Sequence, residues 1–179
     1  MPGLIAPHGG TLVSRVVNPD HAAKLEAEAA KLPRITLSAK QSCDLELIGI
    51  GGFSPLTGFM GKADFESVCQ KMTLASGLPW SIPILLSVDK ASAPKVGDRV
   101  ALVAPSGVLQ GVMTVQEVFA HDKKLEIPSV FRTEDAAHPG VAQVMGEGDT
   151  CLAGPVDVLR VCVDPKGPEA FLDQRLTPS

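Results

Sequence analysis

Gly49-Ile50-Gly51-Gly52-Phe53-Ser54-Pro55-Leu56-Thr57-Gly58-Phe59-Met60-Gly61-Lys62, GIGGFSPLTGFMGK, is rich in glycine and ends in lysine. If its amides cradle phosphate, the chain is a nucleotide-binding fold; if not, the fold must be read from the flanks. A Walker loop needs a glycine five residues before its Gly-Lys pair and a hydroxyl after it, because amides hold the phosphates and the hydroxyl holds magnesium. Leu56 takes the first of those places and Ala63 the second. A dinucleotide fingerprint fails as well: Gly49-x-Gly51 is followed at its third position by Ser54, and the preceding residues read as a helix rather than a strand. What remains is a compact loop. Gly51, Gly52 and Gly58 supply unusual backbone angles while Phe53, Leu56, Phe59 and Met60 pack inward. That apolar content is large for a surface connection and also suits an anchor for another domain.

The flanks are helical. Residues 18–32, NPDHAAKLEAEAAKL, place Ala22, Leu25, Ala29 and Leu32 at near-helical spacing, and Pro33 stops them. RITLS then alternates briefly as a strand. Ser38-Ala39-Lys40-Gln41 has the form of a capping box opening a second helix, with Leu45 and Ile48 toward the core and Gly49 at its end. Beyond the loop, Phe65, Val68, Cys69 and Met72 make one apolar helical face.

After Trp80 the texture changes. SIPILLSV, DRVALVA, LQGVMTVQEVF and VDVLRVCV are short and β-branched with turn chemistry between them, which predicts an antiparallel sheet or barrel. Pro105-Ser106-Gly107 reads as a tight hairpin, proline second and glycine fourth in the turn. No regular crossover helices separate the strands, so a doubly wound sheet is excluded and the class is α+β.

The 179 residues suit one medium domain, and 45% hydrophobic with 20% charged residues is a globular composition. A net charge of -4 gives no general attraction to nucleic acid or anionic membrane. The start MPGLIAPH lacks the basic-then-apolar pattern of a secretory signal, and no apolar run reaches the roughly 18 residues of a span. The expectation is a cytoplasmic protein. Cys43, Cys69, Cys151 and Cys162 are widely spaced without a CxxC pair and read as buried small hydrophobes; His8, His21, His121 and His138 never reach ligand spacing. Asp44 with Glu46, and Asp64 with Glu66, sit two apart on helices. Each pair therefore points to different faces, so solvated charges explain them better than acid-base catalysis in a small enzyme.

Several segments carry a resemblance. GGFSPLTGFMGKADFESV (51–68), Trp80-x-Ile82-Pro83-Ile84, HPGV (138–141) and Leu152-x-Gly154-Pro155-x-x-x-Leu159 resemble, in order, the amino-terminal domain of the ATP sulfurylase (sulfate adenylyltransferase) family. PHGG (7–10) and RLTP (175–178) are similar to that family's start and its entry into the next domain.

The resemblance implies a PUA-like β-barrel with several packed helices over 1–165, then a linker, 166–179, toward a catalytic domain absent from this chain. In the family the whole enzyme transfers the adenylyl group of ATP, with magnesium, to sulfate, giving adenylyl sulfate and pyrophosphate. Its Gln-x-Arg-Asn and His-x-x-His segments lie in the catalytic domain, and neither occurs here. No catalytic residue, cofactor or metal ligand is therefore expected in this chain; ATP and Mg belong to the parent's catalytic domain. The expected partners are that domain, in cis or in trans, and further copies in a homo-oligomer. Candidate interdomain contacts are Phe53, Leu56, Phe59, Met60, Lys62, Arg132 and His138, with solvated or locally capping side chains as the alternative for Lys62, Arg132 and His138. The family commonly has glycine in the Phe-x-Thr segment that holds Arg132. The competing reading is a free-standing PUA-like domain that binds a partner protein, or RNA as other PUA-like barrels do. The acidic balance and 4% aromatic content argue against RNA, since RNA readers use cationic grooves and stacking rings.

Overall fold

Asn18 opens the first helix as its position before an Ala- and Glu-rich run predicts. Its side chain accepts the amide of His21, and Pro19 sits in the first turn, where a missing N–H costs nothing. The computed structural model describes residues 5–161 and 176–178. Among them the order is α1 (Pro19–Ala29), β1 (Arg34–Thr36), α2 (Ala39–Gly49), β2 (Gly58–Phe59), α3 (Lys62–Lys71), β3 (Leu86–Val88), β4 (Arg99–Val103), β5 (Leu109–Thr114), β6 (Glu117–Ala120), α4 (Lys123–Phe131), α5 (Pro139–Met145) and β7 (Thr150–Val158). Helices and mixed strands together make the fold α+β. The described parts of Met1–Gly58, Asp98–Thr114 and Pro155–Ser179 form one compact unit, and Phe59–Gly97 with Val115–Gly154 form another.

In the first unit β1 runs parallel to β4, with Ile35 opposite Leu102. β4 is antiparallel to β5, and β5 to the end of β7, where Met113 faces Val156. The β4–β5 hairpin turns as expected. Gly107 N donates to Ala104 O at 2.9 Å, and Gly107 takes φ +86, open to glycine at no steric cost. α1 lays Leu25 and Ala29 against Ala101 and Val112; burying the leucine is worth about 1.5–3 kcal/mol. α2 begins in the capping box, with Ser38 Oγ accepting the Gln41 amide and Gln41 Oε1 accepting the Ser38 amide. Leu45 and Ile48 are fully buried beyond it.

In the second unit β3 and β6 both pair antiparallel with the start of β7: Leu86 faces Leu152, and Phe119 faces Cys151. α3 buries Phe65, Val68 and Cys69. α4 and α5 pack through Ile127, Val141 and Val144.

Four expectations are corrected. Met72 does not extend the apolar face of α3: it caps the helix in the left-handed region (φ 54) and is half exposed. Cys43 is exposed on α2, while Cys69 and Cys151 are buried as expected. Asp44 is a buried carboxylate rather than a solvated one, held by Lys40 one turn back at 2.6 Å. The region read as strands after Trp80 also contains α4 and α5. Cys162, Arg175 and most of the expected linker lie outside the described residues.

Candidate functional site

In the glycine-rich segment several backbone amides are already engaged within the protein. On the first unit's side, Gly51 N donates to Ile48 O, Phe53 N to Leu47 O, Ser54 N to Gly51 O and Leu56 N to Phe53 O. Ser54 staples the turn: its hydroxyl donates to Gly51 O at 2.7 Å and accepts Val13 N at 2.9 Å. Gly51 takes φ +82, and a Cβ there would sit 2.8 Å from Leu12 Cδ1 and 3.1 Å from Val13 O. Both the angle and the approach of the 12–13 backbone require glycine.

On the second unit's side, Met60 pairs twice with Ile84: Met60 N donates to Ile84 O at 2.9 Å, and Met60 Sδ accepts Ile84 N at 3.4 Å. Gly61 is the N-cap of α3 and offers no side chain. A helix start collects anions. Here the anion is the protein's own: Glu117 Oε2, from β6, accepts Lys62 N at 3.1 Å. Gly61 lets it in, since a Cβ there would meet that oxygen at 2.5 Å.

The seven candidate contacts fall into two groups. Leu56, Phe59 and Met60 are buried, so their side chains are spent inside the chain. Phe53 is half-buried and Lys62, Arg132 and His138 are exposed. Lys62 pairs with Glu66 at 3.7 Å, an exposed pair worth little. Arg132 closes α4 in the left-handed region (φ 57), and its amide donates to Pro128 O. The glycine common at this segment in the resembling family matches the conformation that this arginine adopts. His138 caps α5, accepting Val141 N on Nδ1 at 3.4 Å, and its ring lies 5.3 Å from that of Phe131. Gly140 in HPGV leaves room for the Phe131 ring, which a Cβ would meet at 2.4 Å.

Sequence reasoning missed the pair His121 and Glu126, buried in the second unit with Nε2 2.6 Å from Oε2. Five residues apart across the start of a helix, they match no spacing rule. The signal that could have raised them is Asp122 between them, an N-cap residue that accepts Leu125 N and so folds Glu126 back. The thiols of Cys69 and Cys151 are each pushed up to about 12, first by burial and then by the Glu126 charge, which makes them poor nucleophiles. Among the described residues no three His, Cys, Asp or Glu side chains are grouped to hold a metal, and no helix is long and apolar enough to cross a membrane.

The family model described as a PUA-like domain matches residues 5–161, and the chain belongs to that family. Among its relatives, sulfate adenylyltransferase of Acaryochloris marina is 46% identical over 171 residues, 94% of this chain and 44% of the relative. Sulfate adenylyltransferase of Symbiobacterium thermophilum is 44% identical over 177 residues, 98% of this chain and 44% of the relative. That of Deinococcus deserti is 44% identical over 98% of this chain and 43% of its own length. The chain thus spans less than half the length of the curated relatives it matches. A solved structure titled as a hexameric APS kinase from Thiobacillus denitrificans superposes with a TM-score of 0.72 at 30% identity, covering 98% of this chain and 30% of that one.

Proposed function

We propose that this chain is the amino-terminal, non-catalytic module of a cytoplasmic sulfate adenylyltransferase, which joins ATP and sulfate into adenylyl sulfate and pyrophosphate. The observation that carries the reading is the distribution of similarity. It runs over 94–98% of this chain yet takes in only 43–44% of relatives bearing that name. Sulfate is a weak nucleophile, so its adenylylation needs donors that stabilise phosphoryl charge. In this chain the start of α3, next to the glycine-rich segment, is filled by Glu117. ATP and magnesium would therefore be held by the rest of the parent enzyme, and the module's work is to support that part and contacts between subunits. Phe53, Lys62, Arg132 and His138 are the accessible residues of the set proposed to meet it.

The test is the reverse reaction. Purified residues 1–179, given adenylyl sulfate, pyrophosphate and magnesium, should form no ATP above a no-protein control. Robust ATP formation would overturn the reading.

A further inference from the structure

His121 follows β6 and is sealed in the second unit: its side chain is 0% exposed and that of Glu126 6%. Both ring nitrogens face acceptors. Nε2 lies 2.6 Å from Glu126 Oε2, and Nδ1 lies 3.2 Å from the Gly148 carbonyl oxygen and 4.0 Å from Glu147 Oε2. A neutral imidazole donates from one nitrogen only. If Nδ1–H goes to Gly148, the Nε2 contact needs a second proton, on the ring or on the carboxyl group. If the hydrogen is on Nε2 instead, a bare Nδ1 lone pair is aimed at a carbonyl and a carboxylate. The geometry is satisfied when the pair holds one proton more than a neutral imidazole beside a carboxylate.

Charged groups near the pair come from several elements. Asp122 is the N-cap of α4, and Lys123 and Glu126 lie in its first turn. Lys123 Nζ donates to the carbonyl oxygens of Met145 and Glu147 and lies 3.2 Å from Asp149 Oδ1. The turn between α5 and β7 supplies Glu147, whose carboxylate accepts the Ser87 hydroxyl of β3 at 3.2 Å, and Asp149, whose carbonyl accepts His121 N at 2.9 Å. α3 contributes Phe65, with its ring 6.1 Å away and edge-on, and Cys69 on α3 and Cys151 on β7 both feel the Glu126 charge. Burial alone would pull the imidazole down. The hydrogen bond and charge of Glu126, then Gly148 and Glu147, outweigh it, so His121 titrates above its ordinary 6.5.

We propose that His121, Glu126 and Glu147 form a proton-dependent latch that fastens the β6–α4 junction to the α5–β7 turn and releases it as the pH rises. The proton leaves for solvent, and the buried lone pairs are then left facing one another. Because the folded value lies above the unfolded one, the stabilisation is complete below about pH 6.5. It is lost as the pH climbs through the raised folded value.

The experiment uses the whole chain. Long-range proton–nitrogen NMR follows the His121 ring from pH 6 to 10, alongside urea midpoints over the same range, for wild type and Glu126→Gln. The wild-type ring should keep its doubly protonated signature above its ordinary 6.5, and the folding constant should fall by up to tenfold per pH unit from there until the signature is lost, then level off. In Glu126→Gln the new amide can donate to Nε2, so the ring should turn neutral at a lower pH than in wild type and the midpoint should vary less across that window. A wild-type ring that titrates at or below its ordinary 6.5, or a midpoint indifferent to its titration, overturns the latch. If the variant does not fold, the wild-type titration decides alone.

Discussion

Removing the Ser42 hydroxyl should expose how tightly α2 and β5 are joined. The Gln110 side chain, 0% exposed on β5, has both polar atoms satisfied by Ser42: Oε1 accepts the hydroxyl at 2.7 Å, and Nε2 donates to the backbone carbonyl at 2.9 Å. Ser42→Ala changes volume very little, so cavity terms are small and the loss is chiefly that of a partner for a buried acceptor. Such a loss costs about 1–3 kcal/mol. For a chain of this length that lowers the melting temperature by roughly 2–12 °C. The measurement is urea unfolding followed by far-ultraviolet circular dichroism, with the slope checked for constancy. Adding Gln110→Leu removes the orphaned acceptor, so the double variant should be less destabilised than the two single changes summed. A Ser42→Ala variant within about 0.5 kcal/mol of wild type, the usual range of a featureless surface change, or strictly additive costs, would refute the reasoning.

Gly148→Ala should cost about 1–3 kcal/mol or more in urea unfolding, because its Cβ would sit 2.2 Å from the Val88 carbonyl carbon and oxygen, backbone that cannot swing aside; Gly146→Ala, with its nearest neighbour at 3.5 Å, is the tolerated control. Arg132→Gly relieves a left-handed non-glycine residue at about 1–2 kcal/mol. It also loosens the unfolded chain by about 0.4–1 kcal/mol, so a small gain in thermal stability, near 0.5 kcal/mol, is expected. Glu117→Gln takes the charge from the start of α3 and should cost about 0.3–1 kcal/mol at low salt, with the difference shrinking in 1 M salt.

The sequence made some of this fold legible because the signals were local. The Ser38–Gln41 box and the Pro105–Gly107 turn each carry their own hydrogen-bond chemistry within four residues, and both formed as read. The failures lie where distant residues decide. KKLEIPSVF holds a proline and only a weak apolar stripe, so α4 is stabilised by packing through Ile127 and Phe131 with Val141 and Val144 rather than by propensity. Met72 fits the α3 stripe by spacing, yet the chain turns there so that Trp80 N reaches Met72 O at 2.9 Å. The phosphate reading of the glycine-rich loop could be rejected from spacing alone, but its replacement could not be named. That Glu117 fills the helix start depends on β6, more than fifty residues downstream. His121 was visible only as one of four histidines, since its partners Glu126, Glu147 and Gly148 converge through tertiary structure.

The central claim is that this module supports a catalytic portion elsewhere in a sulfate adenylyltransferase. Its most direct test is to delete residues 5–161 from the gene's complete product and assay ATP formation from adenylyl sulfate and pyrophosphate, intact and truncated forms side by side. The account predicts an active intact enzyme and a truncated one that has lost most of its activity. A truncated protein as active as the intact one would contradict it.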